Sequence, residues 1–266
     1  MTEMRQRLAR SAGVFTLVVV LWPLAAAAEE LRVMTSGTFT AALLELAPGF
    51  ERASGHRVVA ATTTMGVGTA SIPSRLQRRE PADVVIVDDE ALTQMIAEGA
   101  VIAGTRTPLA QSGIGMAVRA GAPKPDISSV EALRRTLLAA KSIAYSASVS
   151  GRYLSTELFQ RLGIEEQVVG KSRRIDGERV GTVVARGDAE LGFQQTSELL
   201  PVPGIDYVGP LPPEVQRVSV FSAGVAAHSR HPEAAASLIR FLASADASAA
   251  VARTGLEPAM PVSRVR

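Results

Sequence analysis

The stretch Asp83-Val84-Val85-Ile86-Val87-Asp88-Asp89 gives the clearest indication of the fold. Its four successive β-branched residues do not alternate with polar ones, which is typical of a strand buried on both faces of a parallel sheet. The two aspartates close the run, and residues 90–98 follow with the apolar spacing of a helix. A buried strand that leads directly into a helix predicts an α/β fold with right-handed crossovers.

The same alternation of strands and helices runs along most of the chain. Apolar periodicity places the elements, and Asp246 is the expected cap of the last helix. Further strands are predicted at 31–34, 56–62, 113–118, 142–145, 191–193 and 218–221, and further helices at 43–54, 72–79, 128–139, 152–162, 179–186, 232–244 and 247–254.

The N-terminal segment has the pattern of a cleavable secretory signal. Three arginines within the first ten residues precede an apolar stretch at 12–24, and four alanines then end at Ala28. The apolar stretch is shorter than the ~20 residues that a membrane-spanning helix needs. We therefore expect cleavage after Ala28 and a periplasmic protein.

Charge and cysteine content exclude several classes of function. The chain has 28 basic and 26 acidic residues, but residues 1–28 carry three arginines and one glutamate, so the remainder is neutral overall. This balance does not support a charge-driven nucleic-acid or membrane-surface role. The absence of cysteine excludes disulfides and thiolate chemistry.

Several polar clusters are expected at one edge of the sheets. Ser36-Gly37-Thr38, 66–71 and 146–151 each lie between the end of a strand and the start of a helix, and Gln194-Gln195 ends another strand. Helix capping explains each cluster singly. Together they predict an anion pocket, because ligands bind at this edge and helix N-termini offer free N–H groups.

Arg152 and Arg179 stand beside these loops. Each could be a solvated surface charge, or its guanidinium group could bind a carboxylate through two parallel hydrogen bonds.

The sequence offers little for catalysis. His56, His228 and His231 fall away from the serine-rich loops, and no serine has an evident histidine–aspartate partner. Asp88 and Asp89 are interpreted as caps of the following helix. We therefore predict a protein that is not an enzyme and that has no metal or cofactor.

The stretch 76–86, with Pro81-Ala82-Asp83 before the buried strand, and the segments 33–42 and 191–193 carry a family resemblance. In these the chain resembles the molybdate-binding protein of bacterial ABC importers, within the type II periplasmic binding protein class. The resemblance implies two α/β lobes, each a mostly parallel sheet flanked by helices, with a ligand cleft between them.

The resemblance also implies positions for the ligand contacts. The two hydroxyl positions fall on Thr38 and Thr69, the backbone contacts near Ser150 and Gly177, and the tyrosine position on Gln195. Threonines replace the family's serines and glutamine replaces tyrosine. With the two arginines nearby, these departures slightly favour a small organic carboxylate over molybdate or tungstate.

The expected protein is a monomer with a signal at 1–28, lobe one at 29–111 and 223–266, and lobe two at 112–222. It would capture a small anion and deliver it to an ABC permease, the permease being implied by the resemblance. A sensor that presents its closed form to a membrane receptor is the alternative, and a secreted enzyme is a further one. The candidate ligand-binding residues are Ser36, Thr38, Gly68, Thr69, Ser150, Arg152, Gly177, Arg179, Gln194 and Gln195.

Overall fold

The computed structural model describes residues 28–61, 63, 65, 66 and 68–259. The predicted signal segment, apart from Ala28, lies outside these residues. So do Thr62, at the end of a predicted strand, and positions 260–266 of the expected return segment.

The described chain forms two mixed sheets. The six-stranded first sheet has the order β11-β4-β10-β3-β1-β2, and the five-stranded second sheet has the order β7-β6-β8-β5-β9. The strands are β1 (Glu30–Thr35), β2 (Arg57–Ala61), β3 (Val84–Asp88), β4 (Thr107–Ser112), β5 (Ile114–Arg119), β6 (Ile143–Ser146), β7 (Ser172–Ile175), β8 (Leu191–Gln195), β9 (Ile205–Pro210), β10 (Ser219–Val225) and β11 (Glu257–Pro258).

Helices connect most of these strands. A π-helical turn, Leu154–Leu158, joins the helices Val149–Tyr153 and Phe159–Arg161 into one continuous helix. The helices are α1 (Gly37–Ser54), α2 (Ile72–Gln77), α3 (Asp89–Ala97), α4 (Val130–Ala139), α5 (Val149–Tyr153), α6 (Phe159–Arg161), α7 (Glu165–Val168), α8 (Val180–Arg186), α9 (Thr196–Leu199), α10 (Pro232–Leu242) and α11 (Ser248–Arg253).

The β3 strand confirms the prediction of a strand buried on both faces. Val84 and Ile86 belong to the apolar cluster that contains α1, α10 and α11, whereas Val85 and Val87 belong to the cluster that contains α2 and α3. Successive side chains of a strand point to opposite faces, so the uninterrupted apolar run lies between two layers of helices. The first sheet is therefore the centre of a three-layer lobe.

The second sheet is covered in the same way. Phe193 of β8 packs with α4, α5 and α6 on one face, and Ala144 of β6 packs with Val180, Val183 and Val184 of α8 on the other. The C-terminal ends of β6 and β8 lie side by side, because these strands are parallel neighbours. The loops that follow them meet at one edge of the lobe.

The chain passes between the sheets twice. It leaves the first sheet after β4 and enters the second at β5, with only Gly113 between them. It returns between Pro210 and Ser219, the ends of β9 and β10. The predicted return near 222–223 is too late, because 219–225 is one continuous strand of the first sheet.

The sheets are mixed, and not mostly parallel as predicted. The pairs β1–β2, β1–β3, β6–β7 and β6–β8 are parallel, but β10 runs antiparallel to β3 and β4, and β5 runs antiparallel to β8 and β9. The antiparallel pairings involve the strands beside the two crossings.

Two further differences concern strands that the sequence did not predict and the cap of the last helix. Strands β4, β7 and β9 were not predicted, because β7 and β9 are partly exposed edge strands and β4 contains Pro108. Asp246 does not cap the last helix. The Ser244 hydroxyl accepts the hydrogen bond from Ala247 N at 3.3 Å, one turn earlier.

Among the described residues, no single helix is long and apolar enough to cross a membrane. One bent pair, Pro232–Leu242 with Ala245–Arg253 at 58°, meets the length and composition test together.

Gly151 allows the first turn of α5 to lie against the end of β6. A methyl group at this position would overlap the carbonyl oxygen of Ser146. We expect Gly151→Ala to lower the free energy of unfolding by about 1–3 kcal/mol through overpacking. Urea denaturation measures this change, with Gly170→Ala as the control, because a methyl group at Gly170 meets nothing within 4 Å. Equal stability of the two variants would contradict this close approach.

Candidate functional site

A cavity of about 380 Å³ lies where strand ends of the two sheets face each other. Both lobes contribute to it, as expected for α/β folds in which ligands bind at the carboxyl ends of strands. Its polar lining consists of Thr35, Ser36, Thr38, Thr40, Thr63, Asp88, Ser146, Ser148, Glu178, Arg179, Gln194 and Glu198, and its other lining residues are Gly37, Leu44, Ala60, Ala61, Met65, Ala147, Val149, Ile175, Gly177 and Phe221.

The start of α1 presents unsatisfied donors to the cavity. Ser36 precedes the helix in an extended conformation, and its hydroxyl makes no capping bond. Although Ser36 is only 4% exposed, its Oγ has no hydrogen-bond partner among the described residues. The N–H groups of Gly37 and Thr38, the first two of this 18-residue helix, also lie too early for an intrahelical partner and carry a partial positive charge. This edge of the cavity is therefore suited to an anionic group.

Three serine hydroxyls form a second polar wall. Ser146 Oγ lies 2.7 Å from Ser148 Oγ and 2.9 Å from Ser150 Oγ, and the latter two are 3.3 Å apart. Ser146 and Ser148 line the cavity, while Ser150 is fully buried behind them. Because each hydroxyl can donate or accept, the group can adjust its hydrogens to a bound ligand.

The Glu198 carboxyl group, in α9, lies on the boundary between the lobes. It accepts hydrogen bonds from Thr38 Oγ1 of α1 at 2.8 Å and from Gln194 Nε2 of β8 at 2.6 Å. Gln194 is itself fixed, since its Oε1 accepts from Val180 N at 2.9 Å. Gly37 makes room for the carboxyl group, because a methyl group there would overlap Glu198 Oε2.

Burial raises the pKa of Glu198. The side chain is 6% exposed and its two hydrogen-bond donors are neutral. Desolvation outweighs the opposing effects of the Thr38 hydrogen bond, the Arg179 charge and the Gln194 hydrogen bond. The carboxyl group thus holds a proton more readily than an ordinary glutamate and still faces the cavity.

Two other carboxyl groups line the cavity, and each has another partner. Asp88 accepts from Ala91 N at 3.1 Å, which confirms its interpretation as a helix cap. Burial raises the pKa of Asp88, opposed by that hydrogen bond and by the Arg152 charge. Glu178 pairs with Arg186 at 2.7 Å, and this hydrogen bond lowers the pKa of Glu178.

Arg179 is the cation of the cavity lining in the part of the chain that the structure describes. It precedes α8, and its guanidinium group makes no hydrogen bond or ion pair with described residues. Gly177, with φ of 80°, forms the turn just before it. The arginine is therefore available for an anionic ligand.

Five of the ten predicted site residues line the cavity: Ser36, Thr38, Gly177, Arg179 and Gln194. They come from three separate segments of the chain, at 36–38, 177–179 and 194, and the strand ends bring these segments together.

The other five lie outside the lining. Gly68 and Thr69 are exposed, and the Thr69 carbonyl accepts from Arg78 Nη2 at 2.6 Å. Ser150 lies behind the serine wall. Arg152 is more than half exposed and pairs with Glu90 at 3.1 Å.

Gln195 also lies outside the cavity lining. With its NH₂ group oriented to donate, it forms hydrogen bonds to the carbonyl oxygens of Ser112 at 3.0 Å and Gly113 at 3.1 Å, so its side chain faces the crossing between the sheets.

Sequence reasoning did not single out Glu198. It ends the polar run Gln194-Gln195-Thr196-Ser197-Glu198, and it lies one helical turn after Gln194. A charged residue closing a run of neutral donors beside a buried strand is the available signal. Its proximity to Thr38, 160 positions away, could not be read from the sequence.

No group of three or more histidine, aspartate or glutamate side chains within the described ranges is placed to hold a metal. His56 and His231 interact with Glu29, at the start of the first sheet, through distances of 3.1 Å.

A wider depression of about 740 Å³ lies at the opposite edge of the second sheet. Its cations, Arg119, Arg135 and Lys141, are exposed, and none of the predicted site residues line it. The interlobe cavity is therefore the stronger candidate for a ligand site.

Comparison with known proteins places the chain among solute-binding proteins. A family described as bacterial extracellular solute-binding protein matches residues 31–257. A protein of Pseudomonas sp named Aconitate isomerase is 47% identical over 245 residues, covering 91% of this chain and 94% of that protein. The molybdate-binding protein ModA of Azotobacter vinelandii is 28% identical over 180 residues, covering 66% of this chain and 68% of that protein.

A solved structure shows the same fold. The periplasmic molybdate-binding protein of Azotobacter vinelandii superposes with a TM-score of 0.68 at 20% identity, over 87% of this chain and 99% of that one. The predicted type II periplasmic binding protein fold and the resemblance to molybdate-binding proteins are thereby confirmed.

The same comparison corrects one expectation. The prediction that the protein is not an enzyme is wrong, because the relative that is 47% identical over most of both chains bears the name of an enzyme. The prediction relied on the absence of a nucleophile–base pair, a criterion that covers only enzymes with nucleophilic catalysis.

Glu198→Gln should stabilise the fold at neutral pH. Because the folded-state pKa is raised, the folded protein binds more protons than the unfolded one just above the ordinary glutamate pKa, and stability falls as pH rises through the raised value. Glu198→Gln cannot lose stability in this way, so its melting temperature should exceed that of the wild-type protein at neutral pH, and the difference should vanish in acid.

Calorimetry across this pH range measures the difference between the two proteins. The neighbouring groups Arg179, Asp88 and Glu178 are present in both, so their contributions cancel. A variant that is less stable at every pH would show that the carboxylate form holds the lobes together.

Proposed function

The chain belongs to the bacterial extracellular solute-binding protein family, and from that premise we propose that its interlobe cavity isomerises a small tricarboxylate of the aconitate type. The observation that carries this proposal is the 47% identity, over 91% of the chain, to the protein named Aconitate isomerase. The similarity spans both lobes, so it includes every segment that lines the cavity.

The cavity has the chemistry that a tricarboxylate requires. Each carboxylate that leaves water needs donors or a cation in compensation. Arg179 can bind one through its unpaired guanidinium group, and the start of α1 with Ser36 can bind a second. The wall of Ser146 and Ser148 offers hydroxyl donors to a third. The volume of about 380 Å³ lies in the ordinary range for small-molecule sites.

The lining also supports an organic acid over a tetrahedral oxyanion. Apolar side chains, among them Leu44, Met65, Val149 and Phe221, contribute to the cavity beside the polar walls. A carbon skeleton with carboxylates at its ends matches such a mixture, because its middle section needs no hydrogen-bond partners. The similarity to the molybdate-binding relative is weaker and covers less of the chain.

A second candidate function is capture of the same acid outside the cytoplasm and its delivery to an ABC permease. The family match over residues 31–257 favours it. Capture and isomerisation share the binding step, so the two candidates predict the same ligand and differ in whether the ligand leaves unchanged.

The experiment that separates them incubates the purified protein with trans-aconitate and, separately, cis-aconitate, and follows both isomers by proton NMR. Conversion in both directions toward one equilibrium ratio is expected. Binding by calorimetry without conversion would overturn the isomerase proposal and favour capture. Binding of molybdate or sulfate in place of either acid would overturn the choice of ligand.

Arg179→Gln should weaken aconitate binding about tenfold to hundredfold. A charge-assisted hydrogen bond contributes about 1.5–3 kcal/mol, and glutamine keeps part of the packing without the charge. Arg152→Gln is the matched comparison, because Arg152 lies outside the cavity lining and pairs with Glu90. Titration calorimetry of both variants measures the effect. An equal loss in the two would indicate a general effect of positive charge near the cleft.

A further inference from the structure

We propose that Glu198 is the acid–base residue of this isomerisation and carries one proton between two carbon atoms of the substrate. The inference rests on the proposed function. It follows from the position of a buried carboxyl group, held by neutral donors, on the wall of the cavity.

The reaction needs only one movable proton. In an aconitate-type acid a methylene group lies between a carboxylate and the carbon–carbon double bond. The Glu198 carboxylate removes a methylene proton, and the C–H electron pair forms a new double bond to the central carbon. The electrons of the old double bond move onto the far carbon and its carboxylate. Return of the proton from Glu198 to that carbon completes a new C–H bond, so atoms and charge balance without a co-reactant.

The product is the same tricarboxylic acid with its double bond in the other arm. The conformation in which the site holds the three carboxylates determines whether the new double bond is cis or trans. The protein therefore has to fix the skeleton and supply a single base, and both tasks belong to the lining of one cavity.

Other routes have no suitable residue. Addition of a thiol followed by rotation and elimination is excluded, because the chain contains no cysteine. No histidine lines the cavity in the described part of the chain. Among the lining carboxyl groups, Glu178 pairs with Arg186 and Asp88 caps α3, whereas Glu198 has no ion pair and no capping role among described residues.

The surroundings of Glu198 suit a base that must take and release a proton from carbon. Each carboxyl oxygen accepts one hydrogen bond and keeps a lone pair. Desolvation strengthens the base relative to an exposed glutamate, as its raised pKa indicates. Negative charge that develops on the far carboxylate can be stabilised by Arg179 and by the start of α1.

Glu198→Gln tests this role with little change in shape. The amide can accept from Gln194 Nε2 and donate to Thr38 Oγ1, so both neighbours keep a partner. We expect kcat to fall at least about 100-fold, the usual contribution of general acid–base catalysis, while the aconitate Kd changes less than about threefold. Glu166→Gln makes the same substitution on the exposed face of α7, outside the cavity, and should leave both quantities unchanged.

A second readout follows hydrogen exchange with the solvent. In D₂O the wild-type protein should incorporate deuterium at the methylene and vinyl positions of aconitate in a fraction of its turnovers, because the proton that Glu198 holds within a turnover can exchange with the solvent before it returns to carbon. Glu198→Gln should bind aconitate and show no incorporation. This loss would not follow from a purely structural role of Glu198, since binding reports an intact cavity.

The outcomes separate the two proposals. If the wild-type protein converts neither isomer, the proposed function fails. If it converts them and Glu198→Gln retains more than about a tenth of kcat, the assignment of Glu198 is overturned and the isomerase remains. A loss confined to Asp88→Asn, which keeps a good helix cap, would transfer the role to Asp88 and also overturn the assignment.

Discussion

The hydrogen bond from Thr38 to Glu198 joins two parts of the chain that are 160 positions apart. The Ser197 hydroxyl donates to the Thr38 carbonyl at 3.0 Å, so the start of α9 is attached to the start of α1 by two buried contacts. Exposed ion pairs at the rim, such as Arg152 with Glu90, contribute little by comparison, because water screens them. These contacts, one of which is made by a buried carboxyl group, therefore help to fix the relative position of the lobes and with it the shape of the cavity.

That contact is difficult to explain by packing alone. A glutamine at position 198 would have the same shape, would satisfy both Thr38 and Gln194, and would not bury an ionisable group. The carboxylate form is opposed by desolvation, and its two neutral donors compensate only part of that cost. Residues that are energetically unfavourable for the fold are concentrated at functional sites, where the same property serves chemistry. A base that is strengthened by burial is such a property.

Much of the fold was readable from local pattern, and the departures have physical causes. The β3 run predicted a strand between two helical layers, because an uninterrupted apolar sequence can be satisfied only by burial on both faces. Strands β7 and β9 were not predicted because they are partly exposed edge strands, which lack the apolar pattern of a buried strand. The strands β5 and β10, which follow the two crossings, run antiparallel to their neighbours, and residue periodicity carries no information on strand direction.

The residues of the candidate site also fall into those that local sequence predicts and those that depend on tertiary structure. Ser36 and Thr38 were predictable because their loop follows a strand and precedes a helix, a relation visible in the sequence, whereas Gly177 was predicted from the family resemblance. Gln195 was assigned to the ligand together with Gln194, but successive strand residues point to opposite sides, so only one of the two amides can face the cavity. Glu198 was missed because its significance comes from tertiary burial, which changes the chemistry of an ordinary glutamate.

A binding protein of this architecture already has most of the features that an isomerase of the same ligand needs. The cleft already removes the ligand from water and surrounds its charges with fixed donors, and the same donors can stabilise charge that develops during reaction. Capture alone favours the tightest possible ground state, whereas turnover requires that the interactions strengthen as the proton moves. The arrangement of Arg179 and the start of α1 meets this condition if they hold the arm on which charge accumulates. In the mechanism proposed above, the buried Glu198 carboxyl group at the lobe boundary adds what a binding cleft lacks, a base that removes a proton from one carbon and returns it to another.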